Sequence, residues 1–202
     1  MKKVLLLLLL ILIVGCSNQE CITQEKYNLL EKQYKDLQDE IVVKEKYIKY
    51  FQKAKDEHIL ALLAKSDAER YFNLWVYYYD EGMFSESIGF CVEARDYYAE
   101  SNSFHQKAIQ YFANAREYAV DEQVELVDAY IDYSNITIDI NWAMYEACEY
   151  FESASKYYSN ELWEAGDNER EKANERIRKH DSLIKKANEY NSKITVLEEE
   201  GI

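Results

Sequence analysis

The sequence predicts an all-α protein: an irregular bundle of about five helices, headed by a long coiled-coil-like helix. Three observations predict it. The 202-residue chain has no proline and only five glycines, too few turn-formers for a β-fold built on tight hairpins. Apolar residues recur three and four apart over long stretches, the period of one helix face. Charged residues make up 31% of the chain, yet it carries 19 tyrosines among 14% aromatics, more than a disordered chain would hold.

The first element is a leader. Lys2 and Lys3 precede an unbroken apolar run, Val4 to Val14, and polarity begins abruptly at Ser17. That is the layout of a secretory signal peptide over residues 1–15. The run is too short for a span, which needs about 20 apolar residues. Ile13-Val14-Gly15-Cys16 resembles the lipobox of prokaryotic lipoproteins. The resemblance implies that the Cys16 thiol takes a diacylglyceryl group and that cleavage makes Cys16 the first residue. The expected location is then the extracytoplasmic side of a cell membrane, with the chain held by its lipid. Loss of Lys2 and Lys3 takes the formal net charge from −14 to −16. Such acidity argues against nucleic acid as a partner, because phosphate binding needs clustered Lys and Arg.

Residues 16–24 read as a flexible neck. From residue 25 to 65 runs a helical pattern with no breaker. Tyr27, Leu30, Tyr34, Leu37, Ile41, Lys44, Ile48 and Phe51 are spaced alternately three and four apart, a heptad seam broken once at Lys44. About 40 helical residues would span roughly 60 Å. The segment reads either as a stalk that self-associates through Tyr27 to Phe51 or as one more member of the bundle.

Residues 66–200 read as the bundle. Ser66-Asp67-Ala68-Glu69 has the form of a capping box, which would start a new helix near Asp67. Gly82 is its natural stop, and the next helix begins near Ser85. Within Ala68 to Asn102, Tyr71, Leu74, Tyr78, Gly82, Ser87, Cys91 and Ala94 follow the spacing of a helical hairpin that resembles one tetratricopeptide repeat. Trp75 departs from it, standing where the family has a close-contact glycine, and Ala99 replaces the closing proline. His105 to Ala115 resembles the hairpin's second helix again, but only 21 residues on, which implies an isolated hairpin rather than an array.

The next segment runs from about Gln123 to Tyr158, with Val127, Ile131, Ile138, Trp142, Tyr145 and Phe151 sharing a face. Ile136 to Ile140 alternates as a strand would but is short and embedded, so it reads as helix. Asn135-Ile136-Thr137 is a glycosylation sequon that a packed helix would hide. Gly166-Asp167 marks the last turn. The final helix follows from about Asn168, with Ala173, Ile177, His180, Ile184, Ala187 and Ile194 on one seam.

The sequence offers little catalytic chemistry. His58, His105 and His180 stand in no motif, and the residues three before them, Lys55, Asn102 and Ile177, lack the Glu-x-x-His of di-iron bundles. No metal or cofactor is expected, and no enzyme activity. Cys91 and Cys148 lie deep in helical segments and read either as a disulfide of an exported protein or as two buried thiols. The tyrosines remain. Tyr71, Trp75, Tyr78, Tyr79 and Tyr97 read as a candidate interaction surface, since amphipathic rings favour interfaces; the competing reading is core and rim. The expected function is that of an envelope lipoprotein that engages a protein partner or serves structurally. Capture of a peptide, glycan or small molecule in an aromatic groove is the alternative, and a self-assembling stalked component a second one.

Overall fold

The structure, a computed structural model, describes residues 24–201. The leader, Cys16, Cys21 and nearly all of the neck lie outside the described residues. The described residues form four helices: α1 (Gln24–Asp80), α2 (Phe84–Arg116), α3 (Asp121–Ser159) and α4 (Trp163–Glu199). The all-α expectation holds, and among the described residues four helices stand where five were expected.

The difference arises at Ser66. No helix starts there; α1 runs unbroken for 57 residues. The capping box contributes about 1 kcal/mol as a local preference. Against it stands a continuous packed line, Ala54, Ala61, Ala64 and Ala68, each 6% exposed or less. Ser66 and Glu69 are therefore helix-interior residues, and Glu69 pairs with Lys65 one turn back at 3.8 Å. Ser101-Asn102-Ser103 is likewise passed through by α2, and Ile136 to Ile140 is helical within α3.

Gly82 ends α1 as the sequence predicts, in the left-handed region at φ +72°. The Met83 N–H bonds to the Tyr78 carbonyl at 2.9 Å and the Gly82 N–H to that of Tyr79 at 3.0 Å, the paired closure of a helix that reverses direction. The last turn does not lie at Gly166-Asp167. It lies at Asn160 to Leu162, where Leu162 and Glu161 close onto Tyr157 and Tyr158 in the same way, with Glu161 at φ +63°. A glutamate in that conformation leaves no signal in the sequence. Gly166 sits inside α4 for another reason: the Tyr158 ring lies across it, 2.5 Å from where a Cβ would stand. The ring is fixed there by a 2.7 Å hydrogen bond from its hydroxyl to Asp167.

By contacts the chain divides between Val43 and Lys44 into two units. In the first, every described residue of α1 is exposed. The second is a bundle whose middle member, α3, packs against α2 and α4. Its core is two apolar clusters. One gathers Tyr47, Phe112, Leu126, Val127, Tyr130, Ile194 and Leu197, with Phe51 against it. The other gathers Trp75, Cys91, Tyr98, Met144, Cys148, Phe151 and Ala173. The α4 seam is as predicted at Ala173, Ala187 and Ile194. The α3 face is as predicted at Val127 and Phe151, both buried, and half-buried at Ile131, Ile138 and Tyr145; Trp142 is 44% exposed, and Tyr130, Ser134, Thr137 and Asn141 are buried beside the predicted line. Asn135 is exposed on α3 and not hidden.

Gly166 gives the fold a sharp test. Gly166→Ala would gain about 1 kcal/mol of helix propensity but drives a methyl into Tyr158, and overpacking of this kind costs about 1–3 kcal/mol. The variant is expected to melt several degrees lower, and Gly166→Ala combined with Tyr158→Leu to recover part of the loss, read by thermal denaturation followed by circular dichroism.

Candidate functional site

Three places in the described chain carry side chains that packing alone does not account for: the aromatic hairpin of α1 and α2, a polar layer inside the bundle, and the open face of α1 in the first unit.

The hairpin divides the predicted contact surface in two. Trp75 is 4% exposed. Its ring centroid lies 4.0 Å from that of Phe151, and its indole N–H donates to the Ser155 hydroxyl at 3.4 Å. Tyr79 turns the same way, its ring 5.8 Å from Tyr158 and 5.3 Å from Phe84. The reason is register: Trp75 stands seven residues after the fully buried Ala68, on the α1 line that faces α3. Trp75 is thus a core residue, a correction to its place in the candidate surface, while Tyr79 is half-buried and packs against the same cluster, as Tyr71 and Tyr97 do.

Tyr71, Tyr78 and Tyr97 are half-buried and lie on the outside of the hairpin. Tyr71 stacks on Tyr97 at 5.4 Å, with the Arg70 guanidinium 4.9 Å over its ring. The Tyr97 phenol is held above its ordinary pKa, first by the charge of Tyr71 beside it and then by burial. Tyr78 stacks on Phe90 at 4.8 Å, and Tyr77 beside it is 60% exposed. Next to this surface Phe72, Tyr98, Met144 and Ile177 floor a cleft of about 270 Å³ with Glu69, His180 and Asp181 on its rim. Small-molecule sites usually enclose about 300–1,000 Å³, so the cleft is small for one.

Between the two apolar clusters, each of the first three helices turns polar. The layer consists of His58 on α1, Ser101, Asn102 and His105 on α2, and Ser134, Thr137 and Asn141 on α3, all buried. The Ser101 hydroxyl donates to the Ala61 carbonyl at 2.8 Å. The Asn141 amide donates to Ser101 at 2.9 Å and to the Asn102 side-chain oxygen at 3.0 Å. The His58 and His105 rings meet edge to face at 5.4 Å. Both nitrogens of His105, Nδ1 of His58 and the Ser134 hydroxyl oxygen have no protein hydrogen-bond partner. Burial holds both imidazoles neutral. His58 is lowered to about 4, by burial first and then by the Lys55 charge, with Glu198 opposing. His105 is lowered to about 3, by burial and then by His58 and Lys65. Glu198 is held ionised by Lys55 at 2.6 Å and accepts from the Tyr130 hydroxyl at 2.7 Å. The layer left a trace in the sequence, since Ser101, Asn102 and His105 stand three and four apart in line with the apolar Tyr98 and Phe112.

Cys91 and Cys148 meet in the second apolar cluster as free thiols. Burial and the hydrogen-bonded neighbour push the Cys91 thiol far up, out of the reactive range. Among the described residues no group of three or more His, Cys, Asp or Glu could hold a metal ion.

Comparison with protein-family models, with curated proteins and with solved structures finds no match to this chain. The functional reading therefore rests on its own side chains.

The third place is the first unit. Tyr27, Leu29, Leu30, Tyr34, Leu37, Ile41, Val42 and Val43 are all between 40% and 56% exposed. Tyr27, Leu30, Tyr34, Leu37 and Ile41 hold the predicted heptad spacing along one line of the helix. Ile48 beyond them is 55% exposed. Phe51 is not part of that open line: it packs at 5.6 Å from Phe112 and 5.8 Å from Tyr130, which corrects the C-terminal limit of the self-association seam. Polar neighbours are satisfied within the helix, Gln38 donating to the Tyr34 hydroxyl at 2.9 Å and Gln24 to Asn28 at 3.0 Å.

The polar layer makes stability depend on pH. Both histidines have native pKa values below the unfolded value of about 6.5, so their contribution is complete above that pH and is lost as pH falls toward about 4 and about 3. In that window the unfolded chain binds up to two more protons, and the pair removes up to about 2.7 kcal/mol per pH unit. Urea unfolding midpoints are expected to fall steeply from pH 6.5 to 4.5, and His105→Leu to flatten the fall.

Proposed function

We propose that the chain is an extracytoplasmic lipoprotein, held at a cell membrane by acyl chains on Cys16, that works as a protein-interaction module of the envelope. The observation that carries the reading is the open apolar face of α1 from Tyr27 to Ile41. Large apolar side chains at a, d spacing, about half exposed and rimmed by Lys, Glu and Gln, mark a helix built to be covered by another protein surface. The lipobox-like Ile13-Val14-Gly15-Cys16 supports the anchorage, because two acyl chains hold stably where one holds marginally. Among the described residues no helix is long and apolar enough to cross a membrane. Tyr71, Tyr78 and Tyr97 offer a second, flatter contact surface on the hairpin. Ligand capture is the weaker alternative, because Trp75, the largest ring that would have lined a groove, is used in the core.

Two measurements test the reading. The intact mass of protein extracted from membranes is expected to equal residues 16–202 plus acyl groups; the mass of all 202 residues without lipid would overturn the anchorage. Leu30→Glu with Leu37→Glu is expected to leave the melting temperature unchanged, since both side chains are exposed, while the native mass of the detergent-extracted protein falls to that of a monomer. An unchanged native mass would remove the α1 face from the function.

A further inference from the structure

We propose that the partner covering the α1 face is a second copy of the same chain, paired in parallel and in register over Tyr27 to Ile41. The inference rests on the reading of that face as an interaction surface and names its occupant.

The register comes first. With Tyr27, Tyr34 and Ile41 at a and Leu30 and Leu37 at d, a two-fold pairing stacks each residue on its own counterpart and closes five successive apolar layers. The count of apolar layers, with the flanking positions, then favours a parallel pair. In a parallel pair, residue g of one helix faces residue e of the other, five positions on. Lys26 then faces Glu31, and Gln33 faces Gln38, each pair occurring twice by symmetry. Glu40 meets Glu45 at the next step, and Lys44, at the d position between them, supplies the compensating charge on the same edge. An antiparallel pair closes only four apolar layers: with Tyr34 over Leu37 its flanking pairs are Glu31 with Gln38 and Gln33 with Glu40, and with Tyr34 over Leu30 they include Lys26 with Glu40.

Overall charge points the same way. The chain is acidic at −14, which would oppose contact between two copies. From Gln24 to Lys46, however, five lysines stand against six carboxylates, a net charge of −1. The segment offered for pairing is thus little opposed by its own charge. Every described residue of the first unit is exposed, so a copy of the same helix can lie along it.

The test uses the full-length chain in its own membrane, with a photo-reactive benzophenone amino acid in place of Tyr27 or, separately, Tyr34. Both positions are exposed, so the bundle folds as before. Irradiation is expected to give an adduct of twice the monomer mass. Its cross-linked peptides are expected to join position 27 to residues 24–31 of the second copy. A link from position 27 to residues 40–48 would overturn the parallel pairing. An adduct with a different protein would overturn self-pairing and leave the interaction reading standing. No adduct from either position would overturn both.

Discussion

The Ser101 hydroxyl joins three helices at one level. It donates to a backbone carbonyl of α1 at Ala61 and accepts from the Asn141 amide of α3. A buried hydroxyl between two polar partners has only one register in which all are satisfied, and a one-turn slip of any of the three helices would leave them unpaired at about 1–3 kcal/mol for each orphaned group. Apolar contacts do not discriminate so sharply, because a stripe of alanine and tyrosine can be re-packed a turn away. The alanines of α1 make the contact geometrically accessible: a longer side chain at position 61 or 64 would hold α2 off and break the hydrogen bond.

Placement of the layer matters as much as its bonds. It separates an aromatic cluster around Phe112 and Tyr130 from one around Trp75 and Phe151, so each apolar half is aligned by the same polar node. The histidines are the weak part of the arrangement. Asn141 donates to both Ser101 and Asn102, whereas His105 has no bond from the protein and lies against another imidazole. At neutral pH its neutrality makes that tolerable. Below it, the same burial that keeps the ring uncharged turns protonation into a force for unfolding.

What the sequence showed and what it hid follow from the range of the interactions. Helix content, the Gly82 reversal, the start of α3 and the α4 seam were legible because they depend on composition, on a positive φ that favours glycine, and on a regular period. The Ser66 cap misled because a capping preference acts over four residues, while the packed alanines on either side act over the whole bundle. Gly166 misled because glycine has two uses, and here it admits the Tyr158 ring rather than a turn. Trp75 was legible as an aromatic at helical spacing, with surface and core both open; what selects the core is Ser155, eighty residues on, accepting its N–H. The open face of α1 was legible in its spacing, and only the packing of Phe51 against Phe112 and Tyr130 showed where it stops.

That face raises a question of energetics. A helix takes most of its stability from burying one side, and an isolated twenty-residue helix in water is marginal. From Gln24 to Val43 α1 buries no side chain. It avoids the cost of nucleation, since the packed turns from Tyr47 onward already supply the nucleus and each further residue only propagates it. The intrahelical pairs Gln24–Asn28 and Tyr34–Gln38 add a few tenths of a kcal/mol each. Those contributions make the segment helical without giving its apolar line anything to do. An apolar line of that length left in water favours association, and the nearly balanced charge around it lifts the repulsion that the acidic remainder of the chain would impose. The segment is therefore stable enough to present a surface and incomplete enough to require one, which is the physical condition for a helix whose full order arrives with its partner.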